Sequence, residues 1–285
     1  MRDGGGRVRP VPSQPVPSQP PPGHVLAAFG VAGTPATPLP GGQGTSWRAG
    51  NLVLKPADQS TAELNWLADV YSQLRADGFR IAAQRRAADG AVCVDGWSAT
   101  HYVPGRHLTR RWADVIAAGQ PFHAALMGVA RPAFLDQRDN PWTTGDRVAW
   151  GELPVDQFPQ VRHLPRLAAT IRPLPAASQL IHGDLGGNVL FDNALPPAII
   201  DFAPYWRPVA FASAIVVADA LVWEGADAGI LAAVRHIGDF GQYLVRALIY
   251  RAVTEWILRG AGSAVDPGRD PYAPVVELAC RLASA

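Results

Sequence analysis

Lysine is almost missing from this sequence. Of its 25 basic side chains only one, Lys55, is lysine, and the rest are arginine. An ammonium is a compact, strongly hydrated point charge, whereas a guanidinium is a planar fork. The stretch NLVLKP (51–56) therefore has a chemistry found nowhere else in the chain. Cysteine is nearly as scarce. Cys93 and Cys280 lie far apart and match no zinc-ligand spacing, and so few thiols point to a reducing compartment. Charge imbalance is absent too: 25 basic against 24 acidic side chains argues against coating nucleic acid or binding an anionic membrane surface. The longest apolar run, VAFASAIVVADALVW (209–223), is too short to span a bilayer and contains Asp219. The opening MRDGGGRVRPVPSQPVPSQPPPG carries no apolar segment of the kind a secretory signal needs. These absences predict a cytoplasmic protein that contacts neither nucleic acid nor membrane.

Proline, by contrast, is plentiful, with 27 residues, many of them near the start, where VPSQP occurs twice (11–15 and 16–20). Such a segment favours polyproline II and cannot bury a core, so residues 1–22 read as a disordered tail that could make a weak protein contact. The remainder is rich enough in apolar residues, with nine tryptophans, to bury a large core.

From Leu26–Phe29 through TPATPLPGGQGTSWRAGNLVLKP the pattern predicts strand, glycine-rich turn, strand, a tight turn at Ala49-Gly50-Asn51, and strand. STAELNWLADVYSQLRADG reads as a helix, with Leu64, Leu67, Val70, Tyr71 and Leu74 at helical spacing and a start signal at Ser60-Thr61 before Glu63. FRIAAQRRA and GAVCVDGWSATHYV read as further strands. Beyond Val103-Pro104-Gly105, WADVIAAGQPFHAALMGV is helical and an irregular stretch runs to about residue 177. The short strands of QLIHGDL, NVLFD and AIIDF follow, and residues 209–285 are helical. The expectation is an α+β chain: an antiparallel sheet lobe with one helix (23–103) joined to a mainly helical lobe (104–285).

The densest chemical signal is LIHGDLGGNVLFDNALPPAIIDF (180–202), which sets Asp184, Asn188 and Asp201 at the ends of two short hairpin-like strands. Two carboxylates and an amide oxygen suit Mg²⁺, a hard cation that shares its shell with phosphates. This segment resembles the catalytic segment of the aminoglycoside phosphotransferase and choline kinase-like family of the protein-kinase-like fold, with its HGDLxxxN and IDF motifs. HGDLGGN and IDFAPYWRP further resemble an uncharacterised actinobacterial group of that superfamily. The resemblance implies a two-lobed protein-kinase-like fold, ATP or GTP with Mg²⁺, Asp184 as catalytic base, Asn188 and Asp201 as metal ligands, and His182 as a structural member of the loop. It also implies a phosphate-cradling loop, Gly41, Gly42, Gln43, Gly44, Thr45 and Ser46, ahead of a strand carrying the phosphate-contacting lysine. Lys55 stands where that lysine belongs, with Glu63 as the helix glutamate to orient it. Thr100, His101, Tyr102 and Val103 would face the nucleotide base.

Three features depart from the motifs. Asn188 follows Asp184 by four residues instead of five, the metal motif reads DFAP, and Glu63 follows Lys55 so closely that the helix must begin almost at once. Between Asp201 and the helical run near Val209 there is little room for a peptide-docking segment, which favours a small-molecule acceptor. The segment 131–160 holds five acids, three arginines, Trp142 and Trp150, a near balance that does not point to a polycationic acceptor. The two tryptophans could stack on a sugar or nucleoside or belong to the core, and Arg207 could face an anion or pair with an acid. The function expected is Mg²⁺-dependent transfer of a γ-phosphate to a small-molecule hydroxyl. A catalytically weak nucleotide-binding or scaffold protein of the same fold, or a nucleotidyl transferase, is the alternative.

Overall fold

The computed structural model describes residues 19–40, 44–260 and 270–284. Gly41, Gly42 and Gln43 of the expected phosphate loop lie outside the described residues, as does most of the proline-rich start. Among the described residues the first element is a helix, α1 (Gly23–Ala28), overlapping the apolar patch that leads into the first strand. Val25 and Phe29, four residues apart, both point into the core, and the Phe29 amide donates to the Val25 carbonyl. A spacing of four is a helical repeat, and it overrides the apolar run.

The N-terminal lobe is an antiparallel sheet in the order β1-β2-β3-β6-β5, built from β1 (Ala36–Pro38), β2 (Trp47–Ala49), β3 (Leu52–Pro56), β5 (Gln84–Arg85) and β6 (Trp97–His101). Leu52 and Leu54 face inward and Lys55 alternates to the other side, against Ser98 of β6. Helix α2 (Thr61–Gln73) follows β3 directly. Ser60 caps it by accepting from the Glu63 amide at 3.2 Å, and Leu64, Leu67, Val70 and Tyr71 line its buried face.

The run FRIAAQRRA does not form one strand. Its first half, β4 (Arg80–Ile81), pairs parallel with β9 (Ala198–Ile199) of the second lobe, and its second half is β5. The chain changes sheets at Ala82-Ala83, where the Ala82 amide donates to Ile199 and the Ala83 carbonyl accepts from His101. Arg80 reinforces this junction by donating to the carbonyls of Pro104 and Pro196 at 2.9 and 2.8 Å. GAVCVDG also fails to extend, because Val94 bridges straight back to Trp97.

The second lobe begins with α3 (Trp112–Ala125) and continues through α4 (Phe134–Gln137), α5 (Pro141–Ala149) and α6 (Leu164–Ala168), where sequence alone predicts only irregular chain. Helix α5 carries a readable start signal: Asn140 accepts from the Thr143 amide and Pro141 occupies the first turn. Strands β7 (Gln179–His182) and β10 (Pro204–Arg207) pair antiparallel, and β8 (Val189–Leu190) pairs with β9. Helices α7 (Val209–Val222), α8 (Phe240–Arg259) and α9 (Ala273–Ser284) close the lobe over a large core. Trp142 and Trp150 pack against that core. Among the described residues no helix is long and apolar enough to cross a membrane. The architecture is a two-lobed protein-kinase-like fold, with the antiparallel sheet at the N-terminal end and the helical region following it.

Candidate active site

Asp184, Asn188 and Asp201 are held by the crossing of β7, β8, β9 and β10. Asp184 leaves the end of β7, Asn188 enters β8, and Asp201 leaves β9 before the chain turns into β10. Two buried histidines fix this loop. The His182 amide donates to His123 Nε2 and the Asp184 amide donates to His182 Nδ1, each at 3.1 Å. These bonds leave His182 Nε2 to donate to the Ile200 carbonyl at 3.2 Å, tying the residue before Asp201 to the loop that carries Asp184. Burial keeps both imidazoles neutral: His123 falls to about 3, with His182 adding to the effect, and His182 itself lies below its ordinary value. His182 is a structural member of the loop, and His123 supports it from α3.

The shortened HGDLGGN turn is closed by Gly187, whose φ of 82° lies in the left-handed region that glycine enters without penalty. Asn188 thereby folds back on Asp184. Its side-chain amide nitrogen donates to the Asp184 backbone carbonyl at 2.6 Å and lies 3.4 Å from the Asp184 carboxylate, while the Asn188 backbone carbonyl accepts from the Ile200 amide at 3.0 Å. Phe202 anchors the turn after Asp201 from beneath. It is buried against Phe122 of α3, edge to face at 5.1 Å, and beside His182, Trp66 and Tyr71. Burying such a ring is worth about 2–3 kcal/mol.

Lys55 reaches across from β3, and its Nζ lies 2.9 Å from Asp201 Oδ1 and 4.0 Å from Asp58. Burial works to lower its pKa, yet the Asp201 carboxylate, with Asp58 and Glu63 behind it, more than offsets that and holds the ammonium above its ordinary value. Glu63 departs from expectation. It is buried on α2, but its carboxylate pairs with the Arg138 guanidinium, so the close partner of Lys55 is Asp201. Arg138 also donates to the Pro204 carbonyl at 2.7 Å, which clasps α2 to β10. The family resemblance pointed to Glu63 because it opens the helix after Lys55. It gave no sign of an arginine 75 residues further on.

Gly44, Thr45 and Ser46 lead into β2, and the Ser46 carbonyl accepts from Leu39 to close the turn. Thr100 and His101 end β6, and Tyr102 and Val103 continue from it. The His101 and Tyr102 amides donate to Ala83 and Asn51, so those two donors serve the sheet and are not open to a nucleotide base. The Arg48 guanidinium stacks on the Tyr102 ring at 3.8 Å. Of the two readings of Arg207, the structure shows the pairing with acids, Asp146 and Glu152.

One residue of the site escaped sequence reading altogether. Arg251 of α8 donates to Asp184 Oδ1 at 2.8 Å. In LIYRAVTEW it looks like an ordinary helix arginine.

No curated protein matches the chain. A solved aminoglycoside phosphotransferase from Alicyclobacillus acidocaldarius subsp. acidocaldarius DSM 446 is similar over 94% of this chain and 96% of its own, at 19% identity and a TM-score of 0.60. Spectinomycin phosphotransferase APH(9)-Ia, solved with ADP and spectinomycin, is similar over 92% and 96% at 14% identity and a TM-score of 0.54. The amicoumacin kinase hAmiN, solved with AMP-PNP and Ca²⁺, is similar over 87% and 88%, again at 14% identity and 0.54. Likeness at such low identity establishes the fold. The sequence profile of the phosphotransferase enzyme family APH matches residues 36–205, more than half of the chain, and spans Lys55, Glu63, Asp184, Asn188 and Asp201. The chain belongs to the phosphotransferase enzyme family.

Proposed function

We propose that this protein transfers the γ-phosphate of ATP or GTP to a hydroxyl of a small molecule, with Mg²⁺. The observation that carries the reading is the linked contact from Lys55 through Asp201 to the loop holding Asn188 and Asp184. Phosphoryl transfer asks for positioning and charge neutralisation more than for covalent chemistry, and these groups supply both. Asp201 and Asn188 present hard oxygen donors. Mg²⁺ commonly takes only one or two protein ligands and completes its shell with water and phosphate, so this donor set fits the ion, and the Lys55 ammonium already marks Asp201 as a cation site. When bound, the ion would neutralise charge on the phosphates. Lys55 contacts the nucleotide phosphates, with Gly44, Thr45 and Ser46 beside them. Asp184 orients the acceptor hydroxyl and takes its proton as the new O–P bond forms and the bond to the leaving nucleoside diphosphate breaks.

The acceptor is a small molecule of near-neutral or mixed charge. The charges of segment 131–160 are largely paired, Arg131 with Asp136, Arg138 with Glu63, and Asp146 and Glu152 with Arg207. No dense acidic surface is left in these pairs for a polycation. Melting with ATP or GTP, with and without Mg²⁺, tests the reading against Asp201→Asn. A ligand at a hundred times its Kd adds about 2.7 kcal/mol. A Mg²⁺-dependent rise that Asp201→Asn loses, together with release of inorganic phosphate that Asp184→Asn abolishes, is the expected result. A rise without turnover favours the nucleotide-binding scaffold, and no rise with either nucleotide sinks both.

A further inference from the structure

Arg251 sits at a junction that the phosphotransferase reading does not require. It belongs to α8, 67 residues beyond Asp184, and its side chain is only 5% exposed. Its Nε donates to Asp219 Oδ1 at 2.7 Å, and its Nη2 divides between Asp219 Oδ2 at 2.7 Å and Asp184 Oδ1 at 2.8 Å. Asp219, on α7, is buried beneath the catalytic turn, so a methyl group added at Gly186 would lie 3.5 Å from its carboxylate. The Tyr250 ring stacks on the guanidinium at 4.8 Å. One planar fork thus joins a fully buried carboxylate on one helix to a carboxylate with about a third of its side chain exposed in the loop.

A buried ion pair is a poor device for stability alone, because desolvating two charges costs several kcal/mol and apolar packing does as well. A planar fork does what packing and a lysine cannot: two bonds to Asp219 fix the guanidinium plane, so Nη2 meets Asp184 Oδ1 at one defined place. Asp184 is held from the α8 side by Arg251 and flanked on its other oxygen by the Asn188 amide at 3.4 Å. We propose that Arg251, locked by Asp219, is the positioning residue of Asp184, fixing Oδ1 so that, with Asn188 beside the other oxygen, that carboxylate meets the acceptor hydroxyl in one orientation. This inference rests on the phosphotransferase reading above. Arg251 touches neither nucleotide nor acceptor in this role and acts only through Asp184.

The test is Mg²⁺-dependent ATP turnover with water as acceptor, measured beside the ATP-induced melting shift. Arg251→Met is expected to lower kcat about a hundredfold, the usual cost of a group misplaced by about 1 Å, while KM for ATP and the melting shift stay within twofold. Arg251→Lys restores about tenfold of that loss, since it returns the charge without the fork. Removing Arg251 alone strands Asp219, so the double variant Arg251→Met/Asp219→Leu carries the test if the single one does not fold. That double variant is expected to show the same fall in kcat with KM unchanged. A double variant with wild-type kcat overturns the proposal and leaves Arg251 as scaffolding, and so does a fall in kcat matched by a rise in KM and loss of the melting shift. Wild-type protein that binds ATP but turns none over overturns the phosphotransferase reading, and this inference with it.

Discussion

Lys55 Nζ lies 2.9 Å from Asp201 Oδ1, bridging two lobes whose residues are 146 positions apart in the chain. The only lysine of the sequence is set against the carboxylate that would hold a metal ion. Half of the Asp201 side chain is exposed, so the pair is worth no more than about 1 kcal/mol to stability. A metal–nucleotide complex can therefore displace it at little cost, and this sets the sign of the first prediction.

Lys55→Met is expected to change stability by less than about 1 kcal/mol while lowering phosphate transfer about a hundredfold to a thousandfold, the range for losing one electrostatic stabiliser of a transition state. Urea unfolding and initial-rate kinetics on the same preparation check both halves. A stability loss of several kcal/mol with unchanged turnover would make Lys55 a structural residue.

Glu63 and Arg138 form a largely buried pair, so breaking it from either side leaves an uncompensated charge. Arg138→Met and Glu63→Gln are each expected to cost about 3 kcal/mol, and the double variant less than the sum. A double-mutant cycle by chemical denaturation measures the coupling. Because the close partner of Lys55 is Asp201, the ATP-induced melting shift is expected to survive Glu63→Gln.

Gly183, between His182 and Asp184, has no room for a side chain: a Cβ there would fall 2.1 Å from the Tyr205 ring. Gly183→Ala is expected to lower stability by about 1–3 kcal/mol through overpacking and to reduce turnover sharply, because the displaced loop carries Asp184. Thermal melting and kcat read the two effects separately.

His123 gives a pH dependence of defined sign. In the folded protein burial holds it down to about 3, against about 6.5 in an unfolded chain. The unfolded state therefore takes up the proton first as pH falls, and stability present above pH 6.5 is lost as pH drops toward 3. Between pH 7 and 5 the loss from this group is about 2 kcal/mol. His123→Gln, which keeps an acceptor for the His182 amide, is expected to remove that share of the slope in urea midpoints taken at the two pH values. His182, also held low, retains a share of the same sign.

Much of the site was legible because its chemistry is local. Asp184, Asn188 and Asp201 fall within eighteen positions of one another, on strands joined by tight turns, so residue order alone places them near one point. Lys55 was legible for a different reason: its rarity marked it, and the alternation of β3 sends it away from Leu52 and Leu54. Helix α2 was equally plain from its cap and its apolar stripe.

What the sequence left open is which remote element each charge meets. Glu63 pairs with Arg138, Lys55 with Asp201, and Asp184 with Arg251, and each pairing depends on how helices and sheets pack and not on spacing along the chain. The split of FRIAAQRRA between two sheets belongs to the same class, since β4 pairs only because β9 is brought beside it. Helix α8 is buried on nearly every side, so no apolar stripe in its sequence shows which way Arg251 points. The sequence by itself determined the place of the candidate site motifs, the single lysine and the two-lobed order of elements, because short-range geometry and residue chemistry suffice for those. Only the tertiary structure decided the partners of the buried charges, because a buried ion must find its counter-ion wherever packing places one.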